Sequence, residues 1–375
     1  MRILHLISGL GQGGAEKLLL SVCKEHKVLG NIQKVVYFLD EHDLLPYFRK
    51  EGIDVISLAP KRGVMKSLFI VRRIIKQFNP DIIHTHLVRA DSIGRAAGLF
   101  SSHGKIISTI HNCDEWKRKK TINSLLLRFF NCVTVNLCGR VSLIAVSESV
   151  KRFCMITEKI RADKIIILHN FAGNISANDG EVITRNRIGV PDNAFLFVNV
   201  GRLTDQKNQL EILRAAKVFR NRNVYFLILG EGELRAKFET LIADKELANV
   251  VLEGYVENVS DYLKIADMML LTSKYEGQPL TVLEAAKCKL PVLASNIEAI
   301  RDLDDNGLRV TMYEEGNRQA LVKVIEAVLS GSIDYQALAN DAYHYSLAHT
   351  AAHYTKQLTE IYGGENVTQK NIIQK

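Results

Sequence analysis

Long apolar runs are missing from this 375-residue chain. None reaches the roughly 18–20 residues that a membrane span requires, so no transmembrane segment is expected. Its six cysteines, Cys23, Cys113, Cys132, Cys138, Cys154 and Cys288, never form a C-x-x-C pair, which removes one common redox and metal spacing. The strand-like N-terminus has no signal-peptide cleavage pattern, and free thiols in a reducing cytosol are expected. No short repeat or low-complexity tract occurs. Acidic residues are scarce in the first half: residues 1–172 carry 14 of them against 27 Lys and Arg, whereas the remainder carries 27 against 22. The whole net charge of +8 therefore resides in the N-terminal half. An anionic partner fits that imbalance: nucleic acid, a membrane face or a phosphorylated lipid. Basic stretches interleaved with aromatics are absent, which argues against nucleic acid.

What is present is an alternation of strand and helix patterns. "RILHLIS", "QKVVYFLD", "DIIHTHL", "KIISTIHN", "VSLIAVS" and "KIIILHN" read as buried strands separated by helical segments such as "KSLFIVRRIIKQF". Apolar runs flanked by helices fit a parallel sheet covered on both faces. Near residue 172 the small, polar "AGNISANDG" reads as a linker. The alternation then restarts with "AFLFVNVG", "VYFLILG", "VVLEGY", "DMMLLTS" and "LPVLAS". Two Rossmann-like domains are expected, 1–172 and 173–344, with parallel sheets facing across a deep cleft where such folds bind ligands.

The opening loop "SGLGQGGAEK" spells G-x-G-x-x-G through Gly9, Gly11 and Gly14, with an acid, Asp40, closing the second strand. A nicotinamide site is the literal reading, but glycines near a phosphate serve any nucleotide and the motif alone is weak. The second half is more telling. Arg202 and Lys207 in "GRLTDQKNQ" lie between a strand end and a helix start, where cations and unpaired backbone N–H groups together attract an anion. In "KYEGQPLTVLEAAKC", Glu276 sits in a turn with Gly277 and Pro279, and Glu284 lies over a turn into the next helix. Carboxylates accept hydrogen bonds from hydroxyls, so this pair beside an anion site fits a sugar and a ribose. Solvated cations and glutamates complementing a helix dipole are the plainer alternative.

"GRLTDQKN" and "SKYEGQPLTVLEA" resemble the two signatures of family 4, or group 1, glycosyltransferases, and "GGAE", "PDIIHTHL", "STIHN", "AVSESVK", "GEGELR" and "EGYV" fall in family order. The resemblance runs from residue 2 to about 330 and implies the two-domain GT-B fold. It implies that the first domain binds the acceptor, the second a nucleotide sugar, and that a last helix near 345–362 crosses back to the first. Arg202 and Lys207 would hold the donor diphosphate, Glu276 the transferred sugar and Glu284 the ribose. Gly277, Gln278, Pro279 and Leu280 would lie against sugar and phosphates, Gly13 and Gly14 would let the first loop approach, and His111 would lie at the reaction centre. The implied outcome is retention of configuration without a metal or other cofactor, with a UDP-sugar favoured and a GDP-sugar the alternative. Gln278 departs from the apolar residue usual there, and "ASNIEAIRDL" lacks the family's paired glycines.

Other features are weighed beside this. His84 and His86 share a strand face and with His111 suggest a metal, although no carboxylate or cysteine completes a set. "DLD" at Asp302–Asp304 reads as a solvated acidic loop. Trp116, "KRKK" and "TINSLLLRFF" read as a membrane-surface patch of one tryptophan, four cations and an apolar helix. The expected enzyme is a retaining hexosyltransferase acting on a lipid-linked or glycan acceptor at the inner face of the cytoplasmic membrane, in surface polysaccharide or lipopolysaccharide assembly. Its rivals are a nucleotide-sugar epimerase of the same fold and a noncatalytic nucleotide-binding protein.

Overall fold

The computed structural model describes residues 1–59, 63–100, 104–173 and 183–364. Most of the expected linker and of the tail "GGENVTQKNIIQK" lies outside them. The chain divides into two units, one of Met1–Gly173 with Thr350–Lys375, the other of Asn174–His349.

The first unit runs β1 (Arg2–Ile7), α1 (Gly14–Val28), β2 (Ile32–Tyr37), α2 (Leu45–Lys50), β3 (Asp54–Ser57), α3 (Val64–Phe78), β4 (Ile82–His86), α4 (Val88–Leu99), β5 (Lys105–Ile110), α5 (Ile122–Leu137), β6 (Val141–Ala145), α6 (Glu148–Thr157) and β7 (Ile165–Ile167). Its strands are all parallel in the order β3-β2-β1-β4-β5-β6-β7. The order reverses between β1 and β4, so the loops leaving those two strands flank a switch point. Side-chain alternation splits the core. Leu4, Leu6, Ile83 and Ile106 pack with Val71, Ile75, Ile93 and Val150 of α3, α4 and α6. On the opposite face Ile7 and Val35 pack with Leu19 and Cys23 of α1 and Phe48 of α2.

The second unit runs β8 (Phe195–Val200), α7 (Leu210–Phe219), β9 (Val224–Leu229), α8 (Arg235–Asp244), β10 (Val250–Gly254), α9 (Val259–Ile265), β11 (Met268–Leu271), α10 (Leu280–Lys287), β12 (Val292–Ser295), α11 (Glu298–Asp305), β13 (Thr311–Tyr313), α12 (Arg318–Leu329) and α13 (Tyr335–Ala348). Its parallel order is β10-β9-β8-β11-β12-β13, which puts the switch point between β8 and β11. Asn199 braces that point, donating from Nδ2 to the Leu270 carbonyl at 2.8 Å. A last helix, α14 (Ala351–Gly363), belongs to the first unit and packs on α1. The break before it is a cap: Thr350 Oγ1 accepts from the His353 amide and starts a new helix.

Two expectations are corrected. Asp302–Asp304 lie on α11, not in a loop, because Ala299, Ile300 and Leu303 at helical spacing bury one face. In "KRKK", Lys117 is not a surface cation. It is 3% exposed and bonds Glu158 Oε1 at 2.7 Å and Asp114 Oδ2 at 3.0 Å. Arg118, Lys119 and Lys120 remain exposed.

The α5 helix is built inside out. It turns Ser124, Asn131 and Thr134 inward, with Asn131 bridging Arg95 of α4 and Glu158. Outward it presents Ile122, Leu125, Leu126 and Phe129, spaced i, i+3, i+4 and i+7 on one stripe, each 47–76% exposed. On α3, Met65 and Phe69 are likewise exposed, ahead of the exposed Arg72, Arg73 and Lys76. No helix among the described residues is long and apolar enough to cross a membrane.

Candidate active site

In the second unit, the loops leaving β8 and β11 are stitched together at the switch point. Thr272 Oγ1 donates to the Lys207 carbonyl at 2.9 Å, the Lys274 amide to the Gln206 carbonyl at 2.9 Å, and Gln206 Nε2 to the Tyr275 carbonyl at 2.9 Å. These bonds bring Lys207 and Glu276, 69 residues apart, side chain to side chain: Lys207 Nζ donates to Glu276 Oε1 at 2.6 Å. Ser273 Oγ donates to the same oxygen at 2.6 Å. Oε2 takes part in neither bond.

Arg202 is exposed at the mouth of the β8 loop, and Gln209 Nε2 holds its carbonyl at 2.9 Å. The loop after β9 packs on its backbone. A Cβ on Gly230, which has φ +135°, would stand 2.1 Å from the Gly201 carbonyl oxygen, and one on Gly232 2.5 Å from that of Leu203. Only glycine permits such an approach. From the β11 side, Glu276, Gly277, Gln278 and Pro279 are buried and feed into α10, whose first residue is Leu280. Glu284 lies one turn on and is half-buried. Sequence reasoning missed Thr281. Its Oγ1 is buried in the first turn of α10 with no partner among the described residues. A threonine inside an apolar helix gives no such signal in the sequence. An anion seated here would meet the cations of Arg202 and Lys207, the open N–H groups of α10 and this hydroxyl.

In the first unit, the glycine loop leaves β1 at that sheet's switch point. It is pinned by the Leu10 amide donating to the Glu41 carbonyl at 2.8 Å. Gly13 caps α1 in extended conformation and Gly14 is its first residue. Asp40 is exposed, and its near neighbour is His42 at 3.7 Å. His111 follows β5, with Nε2 3.2 Å from His86 Nδ1.

His111 belongs to a row of imidazoles under α1 and α14, not to a trio with His84 and His86 alone. Parallel register sets His5 beside His84, and His26 of α1 closes the row. Burial holds all five rings neutral, aided by neighbouring imidazoles at His5, His84 and His86 and by the N-terminal ammonium at His26: His5 falls to about 3, His26 and His111 to about 4, and His84 and His86 well below the usual histidine range. Nitrogens of His5, His84 and His86 lie within 4.8 Å of one another, a spacing open to a metal. However, His84 already bonds Tyr362 Oη through Nδ1 and Thr109 Oγ1 through Nε2, each at 2.7 Å. With both nitrogens of His84 engaged in these bonds, that ring would have to release a hydroxyl before the trio could ligate a cation.

Residues 12–172 match the model of "Glycosyltransferase Family 4" and residues 182–345 that of "Glycosyl transferases group 1". The chain belongs to the family 4, or group 1, glycosyltransferases, and its fold is GT-B. Among its relatives is the Escherichia coli UDP-Gal:alpha-D-GlcNAc-diphosphoundecaprenol alpha-1,3-galactosyltransferase, 29% identical over 72% of this chain and 71% of that one. Another is the E. coli O-antigen biosynthesis glycosyltransferase WclY, 23% identical over 87% and 88%. Among solved structures, Anabaena HepE in complex with UDP superposes with a TM-score of 0.82, at 18% identity over 97% of this chain and 100% of that one.

Proposed function

We propose that this glycosyltransferase moves a hexose-type sugar, with retention, from a nucleotide-diphosphate sugar to a lipid-linked or glycan acceptor. The observation that carries the reading is the Lys207–Glu276 contact at the β8/β11 switch point with Arg202 exposed beside it. Breaking a glycosyl–phosphate bond leaves negative charge on the diphosphate and positive charge on the sugar. Arg202 and Lys207 stabilise the departing diphosphate, which is the task a divalent metal performs elsewhere, and the reaction needs no cofactor. Glu276 accepts from sugar hydroxyls and Glu284 from the ribose. Gly277, Gln278, Pro279 and Leu280 line sugar and phosphates, Gly13 and Gly14 admit the first loop, and His111 contacts the sugar. With Glu276 given to the sugar hydroxyls and its Oε1 held by Lys207 and Ser273, no carboxylate among the described residues is assigned as a nucleophile. The acceptor hydroxyl therefore attacks C1 from the face the diphosphate leaves. Its proton passes to the leaving phosphate oxygen as the C1–O bond to phosphate breaks.

A UDP-sugar is favoured: the galactosyltransferase relative is named for UDP-Gal, and the HepE structure holds UDP. The diphosphoundecaprenol in that relative's name and the O-antigen in the other's support a lipid-linked acceptor and surface polysaccharide or lipopolysaccharide assembly. The first unit would bind this acceptor, the second the donor. The outward stripe of α5 supports work at the inner face of the cytoplasmic membrane. Full burial of a Leu, Ile or Phe is worth roughly 1.5–3 kcal/mol, and these side chains, 47–76% exposed, forgo about half of it or more, which a lipid surface would restore while Arg118, Lys119 and Lys120 meet anionic headgroups.

Calorimetric titration with UDP, GDP, ADP and NAD⁺ tests the donor site. One nucleoside diphosphate should bind, and Arg202→Ala should weaken it by about 1.5–3 kcal/mol, roughly 10- to 150-fold. NAD⁺ binding untouched by that substitution would overturn the reading. Turnover of the donor without any acceptor would point to the epimerase instead.

A further inference from the structure

The histidine row has a direction. Ring centroids stand 5.7 Å apart from His5 to His84, 4.2 Å from His84 to His86 and 5.5 Å from His86 to His111. Its middle is locked, because Tyr362 of α14 and Thr109 of β5 hold the two nitrogens of His84 and leave that ring one orientation. His86 packs against this fixed ring and is 6% exposed.

A neutral His86 carries one proton on one of two nitrogens. Nδ1 faces His111 Nε2 at 3.2 Å. Nε2 is buried with no hydrogen-bonding partner among the described residues. A proton on Nε2 would bury an orphaned N–H and leave the one available partner to donate instead. A proton on Nδ1 makes the bond to His111 and leaves only an unused lone pair. Orphaned buried donors are the rarer case in proteins, and an unmet acceptor is better tolerated. The Nδ1–H form of His86 is therefore the lower in energy. An accepting His111 Nε2 must then be bare, which puts the His111 proton on Nδ1, the nitrogen turned away from His86.

We propose that His86 is a positioning residue: by donating from Nδ1 it fixes His111 as its Nδ1–H tautomer, so that His111 meets the reacting sugar as a hydrogen-bond donor and not as a base. The tautomer stands on the geometry of the first unit alone, and its catalytic consequence rests on the transferase reading. The chain His84, His86, His111 also makes α14 part of the device, since Tyr362 sets the ring on which His86 leans.

The test is imidazole nitrogen NMR of the full chain labelled at histidine, with the His111 signal assigned by its loss in His111→Gln. Wild type should give His111 as Nδ1–H at neutral pH. His86→Leu should move it toward Nε2–H. His86→Asn, whose amide N–H lies near the position of Nδ1, should keep Nδ1–H. In sugar-transfer assays His86→Leu should lower kcat about ten- to a hundredfold with UDP affinity unchanged, and His86→Asn should recover most of the loss. A wild-type His111 protonated on Nε2, or a tautomer indifferent to His86→Leu, overturns the proposal, and the wild-type spectrum decides even if the leucine variant fails to fold. Absence of any transfer by wild type would count against the transferase reading and leave the tautomer measurement standing.

Discussion

Lys207→Ala should damage the second unit twice over, in stability and in donor binding. Lys207 Nζ and Glu276 Oε1 are 2.6 Å apart, with side chains 19% and 7% exposed. Removing one member of a fully buried pair costs about 3–5 kcal/mol, because the partner charge is left desolvated. Lys207 reaches solvent at one end, which brings the expectation to about 2–3 kcal/mol. For a unit of this size each kcal/mol moves Tm by about 2–4 °C, so the second unit should melt roughly 4–12 °C lower. Glu276→Gln keeps an acceptor for Ser273 while removing the charge, so the double variant should lose about 1–3 kcal/mol less than the sum of the singles. UDP affinity should fall roughly 10- to 150-fold in Lys207→Ala. Differential scanning calorimetry and isothermal titration on the three variants read both effects. A Tm within about 1 °C of wild type, or additive singles, would refute the claim that this contact is a desolvated pair joining two loops.

Three further outcomes are expected. The five neutral histidines give stability that is full above pH ~6.5 and is lost as pH falls toward ~4, since the unfolded chain takes up protons there and the folded one does not. Asp91, raised to about 6 by burial, works in the opposite sense over part of that range. Urea midpoints at about pH 7.5, 6 and 5 should fall in that order, and a flat series refutes the neutral row. Lys117→Met should destabilise the first unit by about 3–5 kcal/mol by stranding Glu158, whereas an exposed cation would cost well under 1 kcal/mol; thermal melting separates these. Phe129→Glu should abolish sedimentation with anionic vesicles without shifting Tm, because its ring is 70% exposed. Unchanged vesicle binding would remove α5 from the contact.

The sequence exposed the main strands because their apolar runs are long and bounded by helical periodicity. It did not expose β3 or β13. Each is a short edge strand, four and three residues, and the β3 segment "DVIS" leaves two of its residues exposed. Helix α11 was hidden by its composition: "EAIRDLDD" has just three apolar residues, and an acidic cluster followed by Asn and Gly imitates a turn. The placement of Arg202, Lys207 and Glu276 was legible because each lies in the loop between a strand end and the next helix. Lys117 was not, since nothing in "KRKK" says which lysine has Glu158, 41 residues on, as a partner. His5 interrupts an apolar strand, and only the β1/β4 register shows that it stands beside His84. Tyr362 lies 278 residues from the histidine it holds, beyond any local pattern.

That last separation bears on how the protein is made. At a translation rate of about 5–20 residues per second, the ribosome needs roughly 10–40 seconds to pass from the end of the first sheet to Tyr362. Through that interval β1, β4 and β5 exist as chain, but the imidazole layer on them has no lid from α14. The first unit to leave the ribosome is thus the last to be finished. A chain that stopped short of α14 would leave its histidine row open to water and protons. Synthesis of α14 becomes the checkpoint before the first unit is assembled.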